Sequence, residues 1–333
     1  MEKIKVVICG VGPIGARIAE FIKDRSSLEI TGAIDIAPDK AGRDLGEFIA
    51  AGKKTGVLIE KSAEKVLSRK KVDVLVLTTM SSLAKIKDPL LEILSYGVNV
   101  VSTCEELSYP WITAPATARE IDDAAKKNGV SVLSTGVNPG FLMDFLPLVM
   151  TGVCRDIEKI TVERIQNAAN RRIPFQQKVG IGITVEEFHK RVAAGTLRHV
   201  GLTESIHMIS ARMGWKIDKT SDTIEPVIAD EDITVNGKLI KKGLVLGVKQ
   251  TGLGISNGRE LVTLRFKAAA GVSDSYDRII IKGIPEIDST IKNGVNGDIA
   301  TCAIITNAIP VVLRAAPGLR TMADIEPVTF FEK

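Results

Sequence analysis

At 333 residues, 45% of them hydrophobic and 25% charged, the chain has room for two domains with separate cores and sits near globular averages, which excludes disordered and fibrous classes. A formal net charge of +4 is too small over this length to imply a polyanionic partner, and no basic run is interleaved with aromatics, so no nucleic acid is expected. The four cysteines, Cys9, Cys104, Cys154 and Cys302, lie far apart without metal-ligand spacing, no apolar stretch approaches the roughly 20 residues of a spanning helix, and the N-terminus shows no secretion signal; reduced thiols, no metal, no membrane and a cytoplasmic location are expected.

From Lys3 to about Met150 short β-rich runs alternate with longer helical patterns, the signature of a parallel sheet covered by helices. Strands are expected at Lys5–Gly10, Glu29–Asp35, Gly56–Ile59, Val72–Thr78, Asn99–Thr103 and Ser131–Thr135, with helices at Ile14–Asp24, Asp88–Tyr96 and Thr117–Lys127. Beyond Cys154 strand-like runs with polar alternation take over, at Lys159–Gln166, Thr223–Val227, Leu244–Thr251, Leu261–Ala268 and Arg278–Lys282, interrupted by helices at Val185–Ala194 and Ser205–Met213 and followed by a long helix from Asp298 to Ala315. The fold class is α/β: a doubly wound Rossmann domain over residues 1–150, with a C-terminal helix at about 298–333 packing back on it, and an α+β substrate and oligomerisation domain over 151–297.

The first strand runs directly into Gly10-Val11-Gly12-Pro13-Ile14-Gly15 and then into an apolar helix pattern. That order suits a dinucleotide turn: the first glycine makes the turn, the second lets backbone approach the pyrophosphate, the third lets helix and strand pack closely, and the helix N-terminus faces the phosphates. The next strand ends in Asp35, about 20 residues on, where a carboxylate accepts hydrogen bonds from the adenosine ribose. Its charge favours NAD over NADP, while Lys40 and Arg43 close behind partly offset it. Thr78, Thr79 and Thr103 stand at further strand ends on the same carboxyl edge and are candidates for cofactor contacts.

Glu105 and Glu106 follow the Asn99–Thr103 strand, ahead of Tyr109 and Trp111. A carboxylate there lies near the expected nicotinamide position, and partial burial beside apolar rings suits it to general-base work. The next strand end carries Gly136-Val137-Asn138-Pro139-Gly140, a turn able to offer backbone N–H groups and the Asn138 amide to a polar substrate.

The order of GVGPIG, Asp35, STCEELSYPW and STGVNPGFLMD resembles the 2,4-diaminopentanoate dehydrogenases and the closely similar native amine dehydrogenases, relatives of dihydrodipicolinate reductase, over nearly the whole chain. The resemblance implies NAD(P)-dependent oxidative deamination of 2,4-diaminopentanoate at C4 to 2-amino-4-oxopentanoate and ammonia, or in reverse the reductive amination of ketones. It carries the family's glutamate onto Glu105, with Glu106 as a possible second acid. The alternatives are an amine dehydrogenase for simple aliphatic substrates, a dihydrodipicolinate reductase-like reductase and a noncatalytic NAD-binding protein. The reductase is disfavoured because the chain's three histidines, His189, His199 and His207, include no adjacent pair.

On the substrate side, Glu163, Arg164, Gln166 and Asn167 end a strand, and the planar fork of Arg164 is the natural carboxylate clamp, with Arg171 and Arg172 as a second cationic option. His199 precedes a helix in a segment whose counterparts in the family border the substrate pocket, while His207 reads as structural. Thr306 and Asn307 on the last helix are expected near the nicotinamide. A homodimer is expected by analogy.

Overall fold

The computed structural model describes residues 2–49, 52, 54–69 and 71–332. The chain divides into two compact units, Met1–Phe141 with Gly297–Lys333 and Leu142–Asn296. Met1 and Lys333, the ends of the expected N-terminal domain and C-terminal helix, lie outside the described residues.

The first unit begins with β1 (Ile4–Cys9), α1 (Pro13–Lys23), β2 (Leu28–Ile34) and β3 (Ile59–Glu60). Val6, Val7 and Ile8 are fully buried in sequence, as a strand covered on both faces requires. Pro13 opens α1, and Ile18, Ala19 and Ile22 at helical spacing bury its inner stripe. The Gly56–Ile59 strand expected from the sequence shortens to β3. Gly56 has φ +74°, and Thr55 and Gly56 close on Asp44, which accepts from Thr55 N–H, Thr55 Oγ1 and Gly56 N–H.

There follow α2 (Ala63–Leu67), β4 (Val74–Leu77), α3 (Leu83–Ser95), β5 (Asn99–Ser102), α4 (Pro110–Thr113), α5 (Pro115–Lys127) and β6 (Ser131–Ser134). Helix α3 begins five residues ahead of its expected start at Asp88 and runs through Pro89. A proline reads in a sequence as a first-turn residue, but here the true first turn is capped from elsewhere, Leu83 N–H donating to Glu106 Oε2 at 2.8 Å.

The second unit contains α6 (Phe145–Met150), β7 (Asp156–Asn167), α7 (Ile173–Lys178), α8 (Val185–Ala193), α9 (Leu202–Arg212), β8 (Lys219–Ile228), the hairpin β9 (Ile233–Val235) and β10 (Lys238–Ile240), then β11 (Val245–Ser256), β12 (Arg259–Ala269), β13 (Tyr276–Ile284) and β14 (Ile287–Lys292). Its main sheet has the order β14-β13-β7-β12-β11-β8, with β7 and β12 parallel and the other pairs antiparallel. Alternate residues Ile160 and Val162, Val248, Val262, Leu264 and Phe266, and Ile279 and Ile281 bury one face. Helix α9 lies so close to that face that a Cβ on Gly254 would meet Ile206 Cγ2 at 2.7 Å.

That buried face also carries an ion pair. Arg164 and Asp277 are register partners on β7 and β13, both nearly inaccessible, and Arg164 Nη1 donates to Asp277 Oδ1 at 2.7 Å. Arg164 Nη2 donates to Val295 O and Val295 N–H donates back to Asp277 Oδ2, tying the chain after β14 to the sheet.

The chain then returns to the first unit as α10 (Gly297–Val312) and β15 (Gly318–Arg320). The helix expected to reach 333 therefore ends at Val312, and the tail supplies a strand parallel to β6. Helix α10 is apolar on nearly every face, and Ile304, Ile305, Ala308, Ile309 and Val312 are buried. The completed sheet has the order β15-β6-β5-β4-β1-β2-β3, all parallel. Strand order reverses between β1 and β4, which is where open α/β sheets bind ligands at their carboxyl edge. No helix among the described residues is long and apolar enough to cross a membrane.

Arg164→Met leaves Asp277 buried without its cation and is expected to lower the free energy of unfolding by about 3 to 5 kcal/mol in urea melts. The volume-matched double replacement Arg164→Met with Asp277→Leu is expected to recover most of that loss, and a single variant as stable as the parent would show the pair to be dispensable.

Candidate active site

At the end of β1, Gly10 takes φ +97° and Gly15 packs against it so tightly that a Cβ on Gly15 would lie 1.9 Å from Gly10 O and 2.6 Å from Thr78 Oγ1. Both positions require glycine for internal reasons. Gly12 differs: its φ is an ordinary −79° and a Cβ there would meet nothing within 4 Å. A Cβ at Gly12 would enter open space ahead of α1, so the fold of the turn does not itself demand a glycine there. A helix N-terminus with its unpaired N–H groups, fronted by a bare backbone, fits the pyrophosphate of a dinucleotide.

Asp35 supports the turn from β2. Val11 N–H donates to its Oδ2 at 2.8 Å, Ala37 N–H to its Oδ1 at 2.9 Å, and Lys40 Nζ to its Oδ2 at 3.1 Å. Burial pushes this carboxyl upward, but the N–H groups of Ala37 and Val11 together with Lys40 outweigh it and hold the group below its ordinary value. The cation of Arg43 is paired with Glu47 at 2.7 Å. Thr78, expected as a cofactor contact, is committed to the turn itself, its hydroxyl donating to Gly10 O at 2.6 Å. Thr79 is exposed at the carboxyl edge.

The ends of β4, β5 and β6 are stitched together by small side chains. Ser102 Oγ donates to Leu77 O and accepts from Cys104 N–H, and Ser134 Oγ donates to Cys104 O at 2.6 Å. Thr103 joins through its backbone N–H to Leu77 O. This frame holds the short 3-10 turn Glu105–Leu107, which Ser108 Oγ closes by donating to Glu105 O. Within it the two glutamates part company. Glu106 is committed to capping α3, so its possible role as a second acid gives way to a structural one. Glu105 is half-buried at the same edge.

The turn after β6 is compact, with every residue from Gly136 to Gly140 buried. Gly140 has φ +119°, and a Cβ on it would meet Thr135 Oγ1 at 2.5 Å; Val137 N–H donates to Thr301 Oγ1 on α10. Asn138 keeps 9% of its surface, and its bond to Pro139 is cis. From α10, Cys302 reaches the glycine turn, its Sγ 3.9 Å from Ile14 O. Asn307 is displaced from the role expected for it. Its amide oxygen accepts from Arg25 beyond the far end of α1, toward the amino edge of the sheet. Thr306 donates within its own helix to Cys302 O.

In the second unit, the carboxylate that Arg164 grips is Asp277 of its own sheet, so the clamp expected for a substrate is corrected to an internal pair. Gln166 is likewise committed, its Nε2 donating to Val295 O and its Oε1 accepting from Arg171 Nη1 at 2.8 Å. That bond and the stacking of the Arg171 guanidinium 4.1 Å from the Phe175 ring centre fix the Arg171 side chain. The His199 ring stacks on Phe266 at 4.4 Å, and its Nε2 is buried with no hydrogen-bond partner among the described residues. Burial, followed by Lys178, Arg164, Arg198 and Arg171, pushes the imidazole well below its ordinary value and keeps it neutral. A neutral imidazole with an unsatisfied nitrogen among cations suits an anionic group.

Sequence reasoning passed over Gln250 and Asp222, which hold His199 by its backbone. A signal existed: period-2 alternation puts Gln250 on the same face as Val248 and Gly252, a polar residue on a core-facing row. Among the described residues no cluster of His, Cys, Asp and Glu could hold a metal ion.

Comparison with known proteins bears on this arrangement. Residues 141–331 match the family described as the 2,4-diaminopentanoate dehydrogenase C-terminal domain, and residues 4–105 match the dihydrodipicolinate reductase N-terminus. The chain is 36% identical to the 2,4-diaminopentanoate dehydrogenase of Acetoanaerobium sticklandii, covering 98% of this chain and 94% of that one. It is 23% identical to an amine dehydrogenase of Streptomyces virginiae, covering 97% and 96% of the two chains. The amine dehydrogenase structure from Mycobacterium smegmatis superposes with a TM-score of 0.87 at 23% identity over 98% of this chain and 97% of that one, a likeness of fold. With the family's domain spanning more than half of the chain and a relative aligned over nearly its whole length, the chain belongs to the 2,4-diaminopentanoate dehydrogenase family.

Proposed function

We propose that the chain is a nicotinamide-dependent amine dehydrogenase that deaminates 2,4-diaminopentanoate at C4, yielding 2-amino-4-oxopentanoate and ammonia. The observation that carries this reading is the half-buried Glu105, held by the seryl stitching at the carboxyl edge of the sheet that ends β1 in an open glycine turn. Gly10, Gly12, Gly15 and Asp35 would hold the dinucleotide, which when bound supplies the ring that takes hydride from C4.

Hydride leaves readily only from a carbon bearing a neutral amine, whose lone pair forms the carbon–nitrogen double bond. Glu105 accordingly accepts one proton from the substrate ammonium at a carboxylate oxygen. After that proton passes to solvent, the same carboxylate accepts a proton from the water that adds to the imine and returns it to the departing nitrogen. Overall the ammonium substrate and water give ketone, ammonium ion and one proton, the two electrons leaving with the hydride. In this reading His199 and Arg171 bind the substrate carboxylate, which favours the diamino acid over simple aliphatic amines. By analogy with other two-domain dehydrogenases, the proposal includes a homodimer.

Absorbance of reduced cofactor, followed with NAD or NADP against 2,4-diaminopentanoate, simple amines and a dihydrodipicolinate-type substrate, tests the reading. Strong reduction with the diamino acid is expected, and activity restricted to simple amines would refute the substrate assignment. Glu105→Gln is expected to lower kcat on the order of 10² to 10⁴-fold with unchanged NAD affinity; unchanged turnover would remove Glu105 from the chemistry, and a parent inert toward every amine would leave a noncatalytic dinucleotide-binding protein.

NAD is proposed as the preferred cofactor with NADP tolerated, because Lys40 already neutralises the Asp35 carboxylate and is the cation within reach of an added phosphate. Lys40→Ala is expected to lower kcat/KM with NADP roughly tenfold, about 1.4 kcal/mol, and to leave the value with NAD within twofold. Equal loss with both cofactors would contradict this role.

The two glycines give a further contrast. Gly12→Ala is expected to preserve Tm while weakening dinucleotide binding in calorimetry by tenfold or more. Gly15→Ala is expected to lower Tm even without cofactor, because its Cβ collides with Gly10 O. Equal Tm losses would show that Gly12, too, is required by the fold.

A further inference from the structure

The loop between α8 and α9 carries His199 and belongs to no strand, yet its backbone is paired as if it did. Gln250, fully buried on the inner row of β11, supplies the missing neighbour. Its Oε1 accepts from His199 N–H at 2.8 Å and its Nε2 donates to His199 O at 2.9 Å. The same Nε2 lies 2.9 Å from both carboxylate oxygens of Asp222 on β8. One amide thereby uses an N–H on each of two partners and its oxygen on a third, and only one orientation allows this, since the amide nitrogen must face Asp222. Burial pushes the Asp222 carboxyl upward, opposed by the Gln250 amide and by Arg198. The result is an imidazole whose backbone is gripped on both sides, whose face lies on Phe266, and whose Nε2 is buried without a partner among the described residues.

We propose that Gln250, oriented by Asp222, is a positioning residue that holds the backbone of His199 so that its Nε2 meets the carboxylate of the amino-acid substrate. The inference rests on the functional reading above and deepens it: selectivity for a carboxylate-bearing amine depends on a side chain that touches no substrate. A glutamate at this position would set a second carboxylate against Asp222 and against the His199 carbonyl, and a methionine would fill the volume without pairing anything. Glutamine alone matches all three partners. The cations bearing on His199 are Lys178, Arg198 and Arg171, beside Arg164, whose charge Asp277 offsets.

The test uses the full chain with NAD and two substrates, 2,4-diaminopentanoate and pentane-2,4-diamine, which keeps both amines and replaces the carboxylate by a methyl group. Gln250→Met is expected to raise KM for the diamino acid at least tenfold while kcat, KM for NAD and KM for the diamine stay within twofold. Asp222→Asn, which keeps the backbone clamp but releases the amide's orientation, is expected to change the same parameter about threefold and serves if Gln250→Met fails to fold. With ¹⁵N-labelled histidine, one of the three imidazole signals is expected to shift on adding the diamino acid in the parent and not in Gln250→Met. An active parent with an unchanged KM in both variants, equal changes for both substrates, or a persisting histidine shift would overturn this inference alone. A parent that oxidises neither compound would overturn the functional reading and this inference with it.

Discussion

The first unit depends on one close approach of backbone to backbone, the packing of Gly15 onto the Gly10 carbonyl. It brings the first turn of α1 against the end of β1, and Thr78 and Asp35 close around it from the strands on either side. With the turn drawn in on its inner side, Gly12 is left bare on its outer side. The nearby strand ends then need only short side chains, Ser102, Ser134 and Ser108, to hold the Glu105 segment. The glycine turn and the Glu105 carboxylate are in this way set on one edge, a placement that suits the proposed hydride chemistry because reacting atoms tolerate little misalignment.

The second unit uses a different device, buried polar groups on the core-facing row of an otherwise apolar sheet. Asp277 and Arg164 form one group, extended by Gln166 to Arg171, and Asp222 and Gln250 form another, extended to His199. Each ends in a side chain suited to an anion. Buried polar groups carry a heavy desolvation penalty unless every partner is present, so such rows specify position more than they add stability. The same logic accounts for Arg164, whose charge is neutralised internally by Asp277.

What was legible in the sequence was local. The glycine spacing, Asp35 and the strand ends are read from a few consecutive residues, and EELSYP with TGVNPGF carried the family resemblance. What escaped was long-range. The partner of Arg164 is 113 residues away, and the function of Glu106 as a cap on α3 appears only when two strand ends are brought side by side. Strand β15 has three residues, too few to show a period, and β14 is polar along most of its length, so neither declared itself. The helical pattern around Asn307 does not reveal which end of α10 meets the glycine turn, and the Asn307 amide pairs with Arg25 instead.

In the proposed reaction the electron pair of the C4–H bond leaves as hydride, from the amine-bearing carbon of the diamino acid to a ring held on the glycine turn. Transfer of label follows that hydride: 2,4-diaminopentanoate deuterated at C4 is incubated with enzyme and NAD, and the reduced cofactor and products are analysed by mass spectrometry. Deuterium is expected in the reduced nicotinamide, with one ammonia per reduced cofactor and a ketone at C4 with the C2 amine intact. Deuterium retained at C4, or ammonia released from C2, would contradict it.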